Sequence, residues 1–312
     1  IKRSQIADYR KQNRGGKGKR GMATREEDVI EHVVNASTHD FLLFFTNKGR
    51  VFRLKTYEVP ATNLNAKGVA IVNLLQLQPE EMISSVINLS KTNNTGHLFM
   101  CTTRGVVKKT PFEQYKNVRQ SGLISINLDE GDELKWIRMT TGENEIVIST
   151  AQGQAIRFHE KDVRPMGRVS RGVRGIRLRT DDQVIGMDTV QPGSSIFVIS
   201  AAGYGKRTKV AQFTPHARGG VGIRSAVVNT KTGKLIGVKT LAGDDGQEVI
   251  IISRQGQTIR LGLKDIPELG RATQGVRIMR INDGDEVVSL ALVDKVEDVE
   301  GEEDETPATP AK

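Results

Sequence analysis

Thirteen positions near the start of the chain, Tyr9 to Gly21, hold six bases and four glycines. Glycine lets the backbone take positive φ and approach a phosphate closely. Arg14 offers the planar fork that donates to two phosphate oxygens at once, and Lys17, Lys19 and Arg20 add mobile positive charge. Gln12, Gly15, Gly16 and Gly18 complete the segment. Its chemistry is backbone phosphate binding, with nothing that reads bases. Further bases stand at regular intervals: Arg168, Arg171, Arg174 and Arg177 are three apart around Gly172 and Gly175, and Arg271, Arg277 and Arg280 sit comparably later in the chain. Between them, His216 to Gly222 keeps an Arg218-Gly219-Gly220 core but lacks the second base, as a degenerate copy would. These arginines are expected on a basic, groove-facing rim.

Other chemistries find little support. The five histidines, His32, His39, His97, His159 and His216, are scattered without metal-ligand spacing. The acids of Asp129–Glu133 and Asp283–Asp285 recur at turn positions, so turn chemistry explains them better than a general acid/base pair. No G-x-x-x-x-G-K-[ST] phosphate loop is present. The lone Cys101 has no thiol partner and reads as a buried structural residue. No apolar run reaches membrane-span length and no signal peptide is visible, which predicts a cytoplasmic protein without membrane contact. The chain opens Ile1-Lys2-Arg3, as a piece cut from something longer would.

Charge is divided unevenly. The 312 residues carry a formal +9, but positions 296–312 hold seven acids and one lysine, so the rest carries +15. The Glu302-Glu303-Asp304-Glu305 run with its Thr and Pro neighbours lacks apolar periodicity. A domain over 1–295 followed by a disordered acidic tail over 296–312 is therefore predicted. A basic body with an acidic tail points to a polyanionic partner.

The elements that must position these bases come in repeats. Gly49, Gly105, Gly153, Gly203 and Gly256 each follow an apolar run that ends, three positions earlier, in Thr46, Thr102, Thr150, Ser200 or Ser253. Four positions after each glycine comes Arg53, Lys109, Arg157, Arg207 or Arg260, and Arg3 fits the same slot in a first copy. Six repeats of about 50 residues result. Runs such as Phe41-Leu42-Leu43-Phe44-Phe45 are short and wholly apolar, as in strands buried on both faces, and the glycine turn joins each to a hairpin partner. A second glycine region containing Gly68, Gly122, Gly172, Gly219 or Gly275, an acidic turn and another β-branched strand follow. Four strands per repeat and six blades closing into a propeller-like wheel are expected, the last strand near Val287–Val293 completing the first blade.

The segment Gln12 to Gly18, QNRGGKG, resembles the heptapeptide box of the bacterial DNA gyrase A family, with Asn13 where a base is usual. The repeats, including TNKGRVFRLKTYEVP, TTRGVVKKT and TQGVRIMRI, resemble that family's C-terminal domain over residues 1–295. The resemblance implies an all-β, six-bladed β-pinwheel whose blades exchange strands. It also implies wrapping of double-stranded DNA around the rim, in support of ATP-dependent negative supercoiling. The partners so implied are the N-terminal part of gyrase A and the gyrase B subunit in an A2B2 enzyme, with ATP and Mg2+ bound outside this chain. The domain alone is expected to be monomeric, non-catalytic and without a cofactor. A topoisomerase IV A-subunit tail, or a propeller that binds proteins, are the alternatives. Bending about 110 Å of duplex through a half circle costs roughly 13 kcal/mol by smooth elasticity, so many distributed phosphate contacts are needed.

Overall fold

The computed structural model describes residues 1–4, 32, 34, 36–63, 66–89, 95–241, 243 and 247–294. The basic segment Gln12–Arg20 and the acidic tail 296–312 lie outside the described residues.

The repeated hydroxyl and glycine explain each other in the hairpin of β1 (Phe41–Thr46) and β2 (Arg50–Lys55). The Gly49 N–H donates to Thr46 O at 3.0 Å, and the Arg50 N–H donates to Thr46 Oγ1 at 3.2 Å, so one threonine closes the turn from both its oxygens. Four further hairpins repeat the arrangement: β4 (His97–Thr102) with β5 (Val106–Pro111), β8 (Glu145–Thr150) with β9 (Gln154–His159), β12 (Ser195–Ser200) with β13 (Tyr204–Lys209), and β16 (Gln247–Ser253) with β17 (Thr258–Gly262). Their hydroxyls accept from the backbone N–H four residues on at 3.1 to 3.3 Å. A third strand pairs antiparallel with the first of each hairpin: β3 (Ile83–Leu89), β7 (Leu134–Thr140), β11 (Val184–Val190), β15 (Leu235–Leu241) and β19 (Val287–Asp294).

The fourth strand comes from the next repeat. Two-residue strands β6 (Leu123–Ile124), β10 (Val173–Arg174), β14 (Ile223–Arg224) and β18 (Val276–Arg277) add to β2, β5, β9 and β13 respectively. Four of the five sheets are thus sealed by a piece of the following repeat, as the resemblance implied. The third strands β3, β7, β11, β15 and β19 contact one another in succession, so the exchanged strands occupy the opposite, outer edge of each sheet. No α-helix occurs among the described residues, only short 3-10 turns.

Hydrophobic burial is organised between blades. Leu43, Phe45 and Val51 of the first sheet pack with Leu98, Met100 and Ile137 of the second, while Leu42, Phe44, Phe52 and Leu54 form a separate cluster on the other face. The prediction that these short runs are buried on both faces is met, and alternation of the side chains across the strand is the reason. Cys101 is fully buried in the next inter-blade cluster, where burial pushes its thiol pKa up.

Two expectations are corrected. The described residues form five blades, not six: four sheets of four strands and one of three. Within the first repeat, most of which is undescribed, Arg3 forms an isolated bridge to Ala61 and donates from Nε to Val59 O at 3.2 Å, but belongs to none of the described sheets. The last strand, β19, does not complete a first blade either. It pairs with β16 from Gln247↔Asp294 to Ser253↔Val287, because its apolar face packs with Val249 and Ile251 in the final inter-blade cluster.

The acidic turns are structural. Asp132 Oδ1 accepts from Thr103 Oγ1, the Arg104 N–H and the Glu133 N–H at 2.8 to 2.9 Å, and Asp285 Oδ1 accepts from the Gln255 and Glu286 N–H groups at 3.0 and 2.8 Å. A carboxylate spent on turn N–H groups in this way is not poised for proton transfer.

Candidate nucleic-acid interface

Every described base proposed from the sequence lies on the stretch that leads from a 3-10 turn to an exchanged strand, or just beyond it. In the repeat containing β10, the turn Glu160–Asp162 is followed by an extended loop bearing Arg168 and Arg171, and then by Val173–Arg174. Gly172 at φ +92 reverses the chain where a Cβ would meet Val107 O at 2.5 Å, so only glycine lets the loop approach the preceding blade this closely. Gly222 at φ +76 and Gly275 at φ +81 do the same before β14 and β18. The register-equivalent glycine in the fifth repeat is therefore Gly222, not the Gly219 singled out from sequence.

With that register, the bases fall into two sets. Arg168, Arg218 and Arg271 stand four residues before the reversing glycine and are half-buried. Arg174, Arg224 and Arg277 end the exchanged strands and are exposed. Arg224 was not among the sequence candidates; aligning Gly222 with Gly172 and Gly275 is the signal that finds it. Arg177 and Arg280, three residues further on, are exposed as well. Arg171 is exposed but ion-paired to Asp129, and Arg277 donates from Nη2 to Tyr204 Oη at 3.1 Å.

Two buried lysines support the loops from beneath. Lys108 of β5 donates from Nζ to Ser125 O at 2.6 Å and to Arg168 O. Lys206, at the matching position of β13, donates to Gly270 O at 2.6 Å, Arg271 O at 2.7 Å and Thr273 Oγ1 at 3.1 Å. Sequence reasoning passed over both for the adjacent Lys109 and Arg207; a doubled base inside a strand was the available clue. Burial first, and then the neighbouring Arg168 and Arg271 guanidinium groups, lower their pKa values to about 7 for Lys108 and about 8 for Lys206. In the unfolded chain both keep their protons to about 10.5. Between pH 7 and 10.5 the unfolded state then binds more protons, so stability should climb with pH, by at most about 1.4 kcal/mol per unit per group. Urea unfolding from pH 6.5 to 9.5 should show this rise flattened in a Lys108→Met, Lys206→Met variant; parallel curves would exclude it.

The base that recurs four positions after each hairpin glycine is architectural where its bonds are seen. Lys109 Nζ reaches Glu160 O at 2.8 Å, and Arg157 Nη1 reaches Val210 O at 3.1 Å and Phe213 O at 3.0 Å, each at the 3-10 turn of the following repeat. Arg53 donates likewise to Lys116 O. Among the described residues, no group of three His, Cys, Asp or Glu side chains is placed to hold a metal ion, and no helix is long and apolar enough to cross a membrane.

Comparison with known proteins agrees with this geometry. The family described as "DNA gyrase C-terminal domain, beta-propeller" matches residues 1–37, 40–90, 96–141, 144–191, 194–242 and 247–294. The chain is 41% identical over 301 residues to the DNA gyrase A protein of Staphylococcus epidermidis (strain ATCC 12228 / FDA PCI 1200), covering 96% of this chain and 34% of that protein. It is 40% identical over 309 residues to the DNA gyrase A protein of Staphylococcus aureus (strain MRSA252), covering 98% and 35%. It therefore spans about a third of the length of these curated relatives. Among solved structures, the C-terminal domain of DNA topoisomerase IV superposes with a TM-score of 0.79 at 24% identity, covering 94% of this chain and 90% of that one. A DNA gyrase A C-terminal domain superposes with a TM-score of 0.72 at 22% identity, covering 93% and 94%. The structural likenesses speak to the fold alone, whereas the family match extends through nearly every repeat from which the exchanged strands and their arginines come. The chain belongs to the DNA gyrase C-terminal domain family of beta-propellers.

Proposed function

We propose that this chain is a non-catalytic domain that bends and wraps double-stranded DNA along its outer edge, mainly by phosphate contacts. The observation that carries the reading is the recurrence of exposed arginines at one position of successive exchanged strands, Arg174, Arg224 and Arg277, on a body of net +15. A curved row of guanidinium groups with no recurring base-reading side chain suits a polyanion that must bend. Counterion release at each contact offsets the bending energy and makes binding steeply salt-dependent with little sequence preference.

In the whole enzyme the domain would serve ATP-dependent negative supercoiling by DNA gyrase in the bacterial cytoplasm. The N-terminal part of gyrase A and the gyrase B protein would supply strand passage, ATP and Mg2+ sites. The segment Gln12–Arg20 would act as a clamp that fixes one end of the DNA path, while Arg168, Arg171, Arg177, Arg218, Arg271 and Arg280 line the rest.

Ligation of nicked circular DNA on the pure chain tests the reading, because a wrap alters the linking number of the closed product. A shift of the topoisomer distribution that grows with protein and vanishes as salt rises is expected. Tight binding without any shift would overturn wrapping, and an absence of salt-dependent DNA binding would favour a protein-binding propeller. The chain alone should neither relax nor supercoil plasmid, with or without ATP.

A further inference from the structure

The half-buried loop arginines are not simply more of the same rim. Arg218 Nη1 donates to Arg174 O at 3.1 Å, and its Nε donates to Asp162 O at 2.8 Å. Arg271 Nη1 donates to Arg224 O at 2.9 Å, and Arg168 Nη1 to Ile124 O at 3.4 Å. In all three cases the acceptor is the last residue of the exchanged strand one repeat earlier. The loop arginine of each blade therefore grips the backbone of the residue whose side chain projects from the edge of the blade before it.

That strand residue stands at the outer edge of its sheet. The exchanged strands are two residues long, and each makes a single short antiparallel pairing: Arg174 lies opposite Val106, and Arg224 opposite Gln154. The chain is anchored again one residue on, where the Gly175 and Ser225 N–H groups donate to Gly105 O and Gly153 O at 2.8 Å, and the carbonyl left between pairing and anchor is the one the loop arginine takes. The guanidinium bond supplies a further, lateral restraint at that carbonyl. An arginine whose backbone is fixed loses less freedom when it meets a phosphate, so a brace of this kind strengthens the contact without touching the ligand. The first exchanged strand is a natural comparison, since it has the brace from Arg168 but ends in Ile124, an exposed residue without charge.

We propose that Arg174 and Arg224 are direct phosphate contacts of the DNA path, repeated once per blade, and that Arg218 and Arg271 are positioning residues acting through them. The assignment rests on the DNA-wrapping reading above and divides among named residues a role that charge alone spreads over all of them. It adds Arg224 as a binding residue and ranks it above Arg271. It also sets apart Arg168, which grips a strand that carries no base.

The test is a double-mutant cycle on the whole chain, reading the salt dependence of binding to a linear duplex long enough to follow the rim. Arg224→Ala should lower the slope of log K against log salt by about 0.9, the loss of one phosphate contact. Arg271→Ala should weaken binding in the native background, yet add little to the slope change or the affinity loss when Arg224 is already alanine. Arg168→Ala should change binding less than Arg271→Ala, because the residue it braces is Ile124. Thermal melting of each variant checks that the blades remain folded, and Arg271→Lys, which keeps a donor for the Arg224 carbonyl, should restore most of the affinity and provides a second reading if Arg271→Ala melts early. Additive losses for Arg224→Ala and Arg271→Ala, with a slope change of about 1.8 in the pair, would show two independent contacts and overturn the proposal. An unchanged slope for Arg224→Ala in a chain that still binds DNA would overturn it too, while leaving wrapping intact. Loss of all salt-dependent binding by the native chain would instead remove the wrapping reading itself.

Discussion

Replacing Gly153 by alanine is expected to cost about 2–5 kcal/mol, a drop in Tm of about 3–8 °C by calorimetry, although the glycine lies in a hairpin turn. Its φ of +78 is the smaller part of the reason. The Gly153 carbonyl accepts the Ser225 N–H at 2.8 Å, just past the exchanged strand of the next repeat, and a Cβ would stand 2.5 Å from Ala226 O. The glycine is thus a joint between blades as well as a turn. Gly49 and Gly105 make the same bond, to the Ser125 N–H at 2.7 Å and the Gly175 N–H at 2.8 Å. Gly256 is the internal comparison. It has φ +84, but among the described residues nothing lies within 4 Å of its added Cβ, so alanine there should cost only the left-handed backbone penalty of about 1–2 kcal/mol. Equal losses at Gly153 and Gly256 would show that the turn, not the joint, sets the cost.

The second large effect concerns shape rather than stability. Replacing Arg14, Lys17, Lys19 and Arg20 by alanine leaves the body at +11, so most delocalised attraction persists and DNA binding should survive. The salt slope should fall by at most about 3.6, the equivalent of four phosphate contacts. If the segment clamps one end of the path, trapped writhe should fall to background, and a gyrase rebuilt around this chain should lose supercoiling while keeping relaxation. Arg171, Arg174, Arg177 and Arg179 make the matched control, since all four are exposed and removing them also takes away four charges. Arg168 is left out of the control because its bond to Ile124 O makes it part of the architecture. Equal losses of writhe in the two variants would reject the clamp and leave general electrostatics.

The features read correctly from sequence are those whose partners lie close along the chain. The Ser or Thr and the glycine three residues later make one turn, with its N–H and hydroxyl bonds contained in five residues, so the motif repeats visibly wherever the turn does. Apolar runs of strand length announced strands buried on both faces, and the acidic turns announced their own capping. The positive balance of the body is additive over residues and needs no structure at all.

What only the tertiary structure decided involves partners a whole repeat away. Nothing local in Val173–Arg174 says that it pairs with β5 in the preceding blade, or that Arg218, 44 residues on, will grip its last carbonyl. Sequence spacing placed Arg168, Arg174, Arg218 and Arg271 in one class of rim bases; burial and the direction of each guanidinium divide them in two. The five sheets, and the pairing of β19 with β16, were likewise set by which apolar faces meet across blades. Lys108 and Lys206 looked like ordinary bases beside the repeated one, because a side chain's alternation into the space between blades depends on register that only strand pairing fixes. Repetition in a sequence records what each unit does within itself, while exchange between units is settled by the hydrogen bonds and buried surface that form when one unit folds against the next.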